Sequence, residues 1–133
     1  MPSAGNYELR FFLNNSLTVL ATSAVIAVAG PSVALDTPTA VIGQTVTATV
    51  ANGPGNVLDW VGLYRASDTS AVGNRLAWKY LNGLITTPPS GTSTANVTFV
   101  LPSTAGTYNV RFFVNGSLTV LATSAPILVT EPD

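Results

Sequence analysis

The stretch ELRFFLNNSLTVLATSAVIAV at positions 8–28 returns as NVRFFVNGSLTVLATSAPILV at 109–129, and this echo limits what the chain can fold into more than any other feature. With Ala4 set against Ala105 the offset is 101 residues, and 18 of the 25 aligned positions (4–28 and 105–129) are identical. Self-similarity at a fixed spacing marks a repeat architecture. Pro31 recurs as Pro132 at the same offset, so one unit closes near Gly30 and the next opens at PSVALDTPTAV. Residues 1–30 therefore read as the terminal hairpin of a preceding repeat, or an exchanged hairpin, and residues 31–133 as one complete repeat. Two hairpins share one body.

Each copy predicts two strands around a tight turn. Asn115-Gly116 suits the type I′ turn, whose two central residues need positive φ, and Asn14-Asn15 serves by the same mechanism. Between the copies, GQTVTATVAN alternates Val46, Ala48 and Val50 with Thr45, Thr47 and Thr49, the period of a half-buried strand. LDWVGLYRA, RLAWKYLNG and ANVTFVLP supply further strands, broken by GPG, ASDTSAVGN and TTPPSGTST, while Pro38 interrupts a first edge strand. This density of short strands, without a helical segment, predicts an all-β fold: an antiparallel immunoglobulin-like β-sandwich with Greek-key connections, plus the duplicated N-terminal hairpin. An up-and-down barrel is the alternative.

Composition narrows the chemistry. Charged residues make up 8% of the chain, against a usual share of roughly 25%. With five basic and six acidic residues the net charge is −1, which gives no field to attract a phosphate backbone, so nucleic acid is not an expected partner. The chain has no His and no Cys, which removes the commonest general base, thiolate nucleophiles, disulfides and sulfur-ligated metals. No catalytic residue, cofactor or metal is assigned; Asp59 and Asp68, nine positions apart, read as solvated loop charges rather than a calcium site. No apolar run approaches the ~18 residues that span a bilayer, and no signal-peptide pattern opens the chain, so membrane insertion is not expected.

The segments GQTVTATV, DWVGLY, LAWKYLNG and PSTAGTYNVRFF together resemble bacterial immunoglobulin-like repeats of large secreted or cell-surface proteins, over essentially residues 31–133. DWVGLY is similar to the aspartate-tryptophan hexapeptide of SKICH and related immunoglobulin-like domains, where it forms a central strand. Gly106 and Tyr108 resemble the tyrosine corner of such domains, in which the phenol bonds back to upstream backbone; Gly5 and Tyr7 repeat the pattern. The resemblance implies a sandwich, an extracellular or bacterial cell-surface setting, and no catalysis.

Two sets of residues are candidates for contact with partners. Trp60, Tyr64, Trp78 and Tyr80 fall within 21 residues, with Asp59 and Arg75 close by. Sugars stack their C–H faces on exposed rings and give hydroxyls to such polar neighbours. Strand alternation places Trp60, Gly62 and Tyr64 on one face and Val61 and Leu63, the better core pair, on the other. Trp78 and Tyr80 share a face with Leu76, which draws that face inward; core packing therefore competes with the sugar reading, and a protein contact is a third. Gly62, between two aromatics, predicts a shallow depression for a ligand or a neighbouring side chain.

The second set is Phe11, Leu13, Leu17 and Val19 in the N-terminal copy. A lone hairpin is marginal in water because its apolar face lacks a covering layer. By sequence either copy could dock on the body, the C-terminal one as in a normal repeat and the N-terminal one as a circular permutant. Pro126 in place of Val25 guards the final strand against edge pairing. The expectation is that the C-terminal copy completes its own domain and the N-terminal copy pairs with another chain, giving a dimer or an array. The function expected is a non-catalytic spacer or interaction repeat of a multidomain surface protein; the alternative is a carbohydrate-binding accessory module, with polysaccharide as its partner.

Overall fold

The computed structural model describes residues 5–22, 26–28 and 30–132, the side chains of 26–28 excepted. The chain forms two compact units, Met1–Gly30 and Pro31–Asp133. In the first, β1 (Gly5–Tyr7) pairs antiparallel with β4 (Ile26–Val28), and β2 (Arg10–Phe12) with β3 (Val19–Thr22). The connecting turn is closed by the Ser16 amide donating to the Leu13 carbonyl at 2.7 Å, with Asn14 and Asn15 at φ 41° and 61°.

The larger unit is an all-β sandwich of two sheets. One contains β5 (Ser32–Leu35), β7 (Thr45–Ala51) and β10 (Ala95–Val100) in the order β10-β7-β5. The other runs β6-β13-β11-β8-β9, from β6 (Thr39–Val41), β13 (Ile127–Thr130), β11 (Gly106–Phe113), β8 (Trp60–Arg65) and β9 (Ala77–Tyr80). β12 (Val120–Thr123) lies along the upper half of β11 on the side that β13 takes lower down. Pro126 falls in the break between β12 and β13, where its missing N–H interrupts no ladder. Pairing is antiparallel throughout this unit except between β6 and β13, which run parallel.

The alternation read in the sequence sets the inner layers. Val46, Ala48 and Val50 face Val61, Leu63, Val110 and Phe112 across the core, all essentially solvent-free. Tyr108 lies under the start of β11 and its hydroxyl donates to the Thr104 carbonyl at 2.5 Å, so the phenol bonds back four residues upstream.

The two hairpins share one register. Gly5 faces Val28 as Gly106 faces Val129, Arg10 faces Thr22 as Arg111 faces Thr123, and Phe12 faces Val19 as Phe113 faces Val120, each pair 101 residues apart. Asn115 and Gly116 adopt φ 47° and 73°, and the Ser117 amide closes the turn onto the Val114 carbonyl.

The larger unit takes in the chain at one pole and releases it at the other. Ser32 pairs with Ala51 at the far end of β7. Thr130 pairs with Val41, whose turn through the Gln44 amide leads into Thr45 at the near end. Six residues of β7 separate these levels, about 20 Å at ~3.3 Å per residue.

Candidate functional site

The aromatic candidates gather on the outer face of β8, β9 and β11. Trp60, Gly62 and Tyr64 alternate with the core residues Val61 and Leu63, and register sets Trp60 opposite Phe113 and Tyr80, and Gly62 opposite Trp78. The Trp60 and Phe113 rings stack at 4.1 Å, Trp78 meets Trp60 edge-on at 6.2 Å, and Tyr80 meets Trp78 edge-on at 5.1 Å. Arg75 lays its guanidinium over Trp60 at 5.2 Å and over Trp78 at 4.9 Å, within cation–π range. Around these groups, with Val72, Gly116 and Leu118, lies a shallow depression of about 260 Å³.

Several expectations change here. Trp78 and Tyr80 do not share the inward face of β9: Ala77 packs on the core and Lys79 reaches inward over Phe99 at 5.8 Å, leaving the two rings on the outer face with Trp60. Leu76, half-exposed, precedes the strand and draws nothing inward. Of the two occupants expected for the depression at Gly62, neighbouring side chains fill it, as read from the sequence: a Cβ there would lie 2.8 Å from Tyr64 Cε1 and 2.9 Å from Trp60 Cζ3. Gly62 is required so that the two rings can close over it.

Tyr64 is not a surface ring. It is fully buried, tilted against Phe113 at 5.8 Å, with the Arg111 guanidinium over its ring at 4.6 Å. Its hydroxyl has no hydrogen-bond partner among the described residues. Burial pushes the phenol above its ordinary value, against the opposing pull of Arg75 and Arg111. A raised value means that the fold disfavours the phenolate: stability is unaffected by this group below about pH 10 and falls as pH rises above it. Tyr64→Phe is expected to change stability by less than about 1 kcal/mol near neutrality, since it removes a polar group that gains no bond on folding. Urea midpoints taken from about pH 8 to 11 should then fall less steeply in the variant; an unchanged alkaline loss would refute the assignment.

Asp59 does not face the depression. It is buried at 1% exposure, and its two carboxylate oxygens accept the backbone N–H groups of Asn56 at 3.0 Å and Asn115 at 2.8 Å. Beside it, the Gly116 amide donates to the Leu58 carbonyl at 2.8 Å and Trp60 Nε1 donates to the Ser117 carbonyl at 3.1 Å. Asp59 and Trp60 thus pin the Asn115-Gly116 turn to the entry of β8. Asp68 lies 4.0 Å from Arg65 on the surface, and no group of three or more metal-ligating side chains occurs among the described residues.

Sequence reasoning missed Arg111. It is buried at 6%, where its Nε donates to Asn109 Oδ1, Nη1 to Ser70 Oγ, and Nη2 to the Asp68 and Arg65 carbonyls, at 2.7–3.3 Å. One side chain ties β11 to the loop that follows β8. A charged residue between two apolar neighbours in VRFF was the available signal, because such a position is buried only when its donors are met.

The N-terminal hairpin presents the same residue types without that cover. Phe11 is 65% exposed and Phe12 40%, whereas Phe112 and Phe113 are fully buried. Arg10, the counterpart of Arg111, binds Glu8 within its own hairpin. Of the residues singled out for association, Phe11 corresponds to the core residue Phe112 and Leu13 to the half-buried Val114. Leu17 and Val19 correspond to Leu118 and Val120, which stay exposed in the complete sandwich, so their exposure marks no missing layer. Tyr7 and Leu9, counterparts of the buried Tyr108 and Val110, belong to the inward set and were not singled out.

Among the described residues no helix is long and apolar enough to cross a membrane. In comparisons with known proteins, no family model and no curated sequence matches this chain.

Proposed function

We propose that the chain is a non-catalytic repeat module of an extended multidomain protein, immunoglobulin-like in type and working outside the cell. Its larger unit serves as a spacer, and residues 1–30 serve as a docking element for a second body of the same kind. One observation carries this reading: the hairpin of 5–28 keeps the register of 106–129 while exposing the rings that its twin buries. A strand pair with that pattern is made to be covered by a second sheet. The polar separation of Ser32 and Thr130 supports the spacer role, because tandem copies joined at opposite ends add length rather than folding back.

The depression beside Trp78 contributes less. Trp60 is buried, stacked on Phe113 with Arg75 over its ring, and Arg75 also lies over Trp78, so these contacts already occupy ring surface that a sugar would stack on.

Deleting residues 1–29 is the direct test. Light scattering on the whole chain at tens of micromolar is expected to give a mass that rises with concentration, and the deleted chain a constant monomer mass with an unchanged melting transition. Equal masses for the two would defeat the docking role.

A further inference from the structure

We infer that the N-terminal hairpin cannot complete the body of its own chain and completes that of a second copy by exchanging for that copy's residues 106–129, so that chains join in trans. The inference deepens the repeat reading and rests on it, since it assumes that residues 5–28 can occupy the seat of 106–129.

The seat is matched to both copies. Tyr108, Arg111, Phe112, Ile127 and Val129 have identical counterparts in Tyr7, Arg10, Phe11, Ile26 and Val28. The acceptors that hold Arg111 from outside its hairpin, Ser70 Oγ and the carbonyls of Arg65 and Asp68, belong to the body and would serve Arg10 equally. Asp59 and Trp60 grip the turn through its backbone, at Asn115 N and Ser117 O, which any residue at those places supplies. Glu8, already bonded to Arg10, stands where Asn109 accepts from Arg111. Leu9 for Val110 adds one methylene.

Reach decides which body is available. With Val28 in the place of Val129 it would lie beside Ala40, near the pole at which the chain leaves the unit. Ser32 must meanwhile stay beside Ala51 near the opposite pole, in the other sheet. The axial offset and the ~10 Å between layers together come to about 20 Å. Four residue steps join Val28 to Ser32, and at ~3.3–3.6 Å each they cover at most about 14 Å. Closure within one chain would strip Ser32 and the buried Val33 from β7. A second chain meets no such limit, and because hairpin and body are different surfaces, the contact closes as a reciprocal dimer or extends head to tail.

The full-length Phe112→Asp variant tests this. A carboxylate at that buried position disables the C-terminal copy, leaving each chain one competent hairpin and one body. The variant is expected to be folded, by its tryptophan emission, and to have at least twice the monomer mass at micromolar concentration. The same variant with a flexible insertion of about twelve Gly/Ser residues after Gly30, whose root-mean-square span with the native linker reaches ~20 Å, is expected to be a folded monomer. A folded monomer without the insertion would overturn the reach argument while leaving the copies interchangeable. Assembly that persists at all concentrations with the insertion would also overturn it. Loss of folded signal in both chains would overturn the interchangeability, and with it the docking role proposed above.

Discussion

Phe112→Ala is expected to destabilise the larger unit by about 3–5 kcal/mol, the cost of emptying a fully packed aromatic site, while Phe11→Ala, the same change 101 residues earlier, should shift stability by no more than about 0.5 kcal/mol. The two residues have the same neighbours in sequence and the same register in their hairpins. They differ in cover: Phe112 is wholly buried against the opposing sheet and Phe11 is largely exposed. Since a domain of this size is stable by only about 5–15 kcal/mol, the first substitution removes a large part of the margin. Urea titrations of the two variants at low micromolar concentration measure both. Similar losses would mean that the N-terminal copy is already seated on a body in dilute solution.

Asp59→Ala is expected to rank next, at about 3 kcal/mol. Its carboxylate meets two buried N–H groups, and hydrogen bonds to a charged acceptor contribute ~1.5–3 kcal/mol each, with the orphaned donors adding their desolvation cost. For a unit of roughly a hundred residues this corresponds to a melting temperature lower by about 12–24 °C. The loss should appear first around the Asn115-Gly116 turn, where amide exchange would accelerate ahead of the rest of β11. A drop of only a few degrees would show that the turn is held by its own geometry rather than by the grip of Asp59.

The strands of the larger unit were legible because they alternate. Thr45–Ala51 and Ala95–Val100 put apolar residues on every second position, and burial follows that order along both. The outer face of β8 was harder to read. Alternation assigned Trp60 and Tyr64 to the non-core face, yet they are buried by other rings and, in the case of Tyr64, by Arg111. A second, smaller cluster on the back of a sheet depends on which side chains lie across neighbouring strands, which one strand's own period does not encode. The face of β9 was misread for a related reason: Leu76 stands before the strand begins, so its hydrophobicity says nothing about the strand's orientation. Asp59 was unreadable as a clamp because its partner turn lies 56 residues away.

The parallel pairing of β6 with β13 bears on what happens when the unit is pulled. Tension applied at its two ends enters through β5 and leaves through β13, along the strand axes. The β13 ladder to β6 and the β5 ladder to β7 are then loaded in shear, so each set of hydrogen bonds must break together rather than peel one at a time. A string of such units would resist stretching until whole ladders fail, and lengthen in discrete steps.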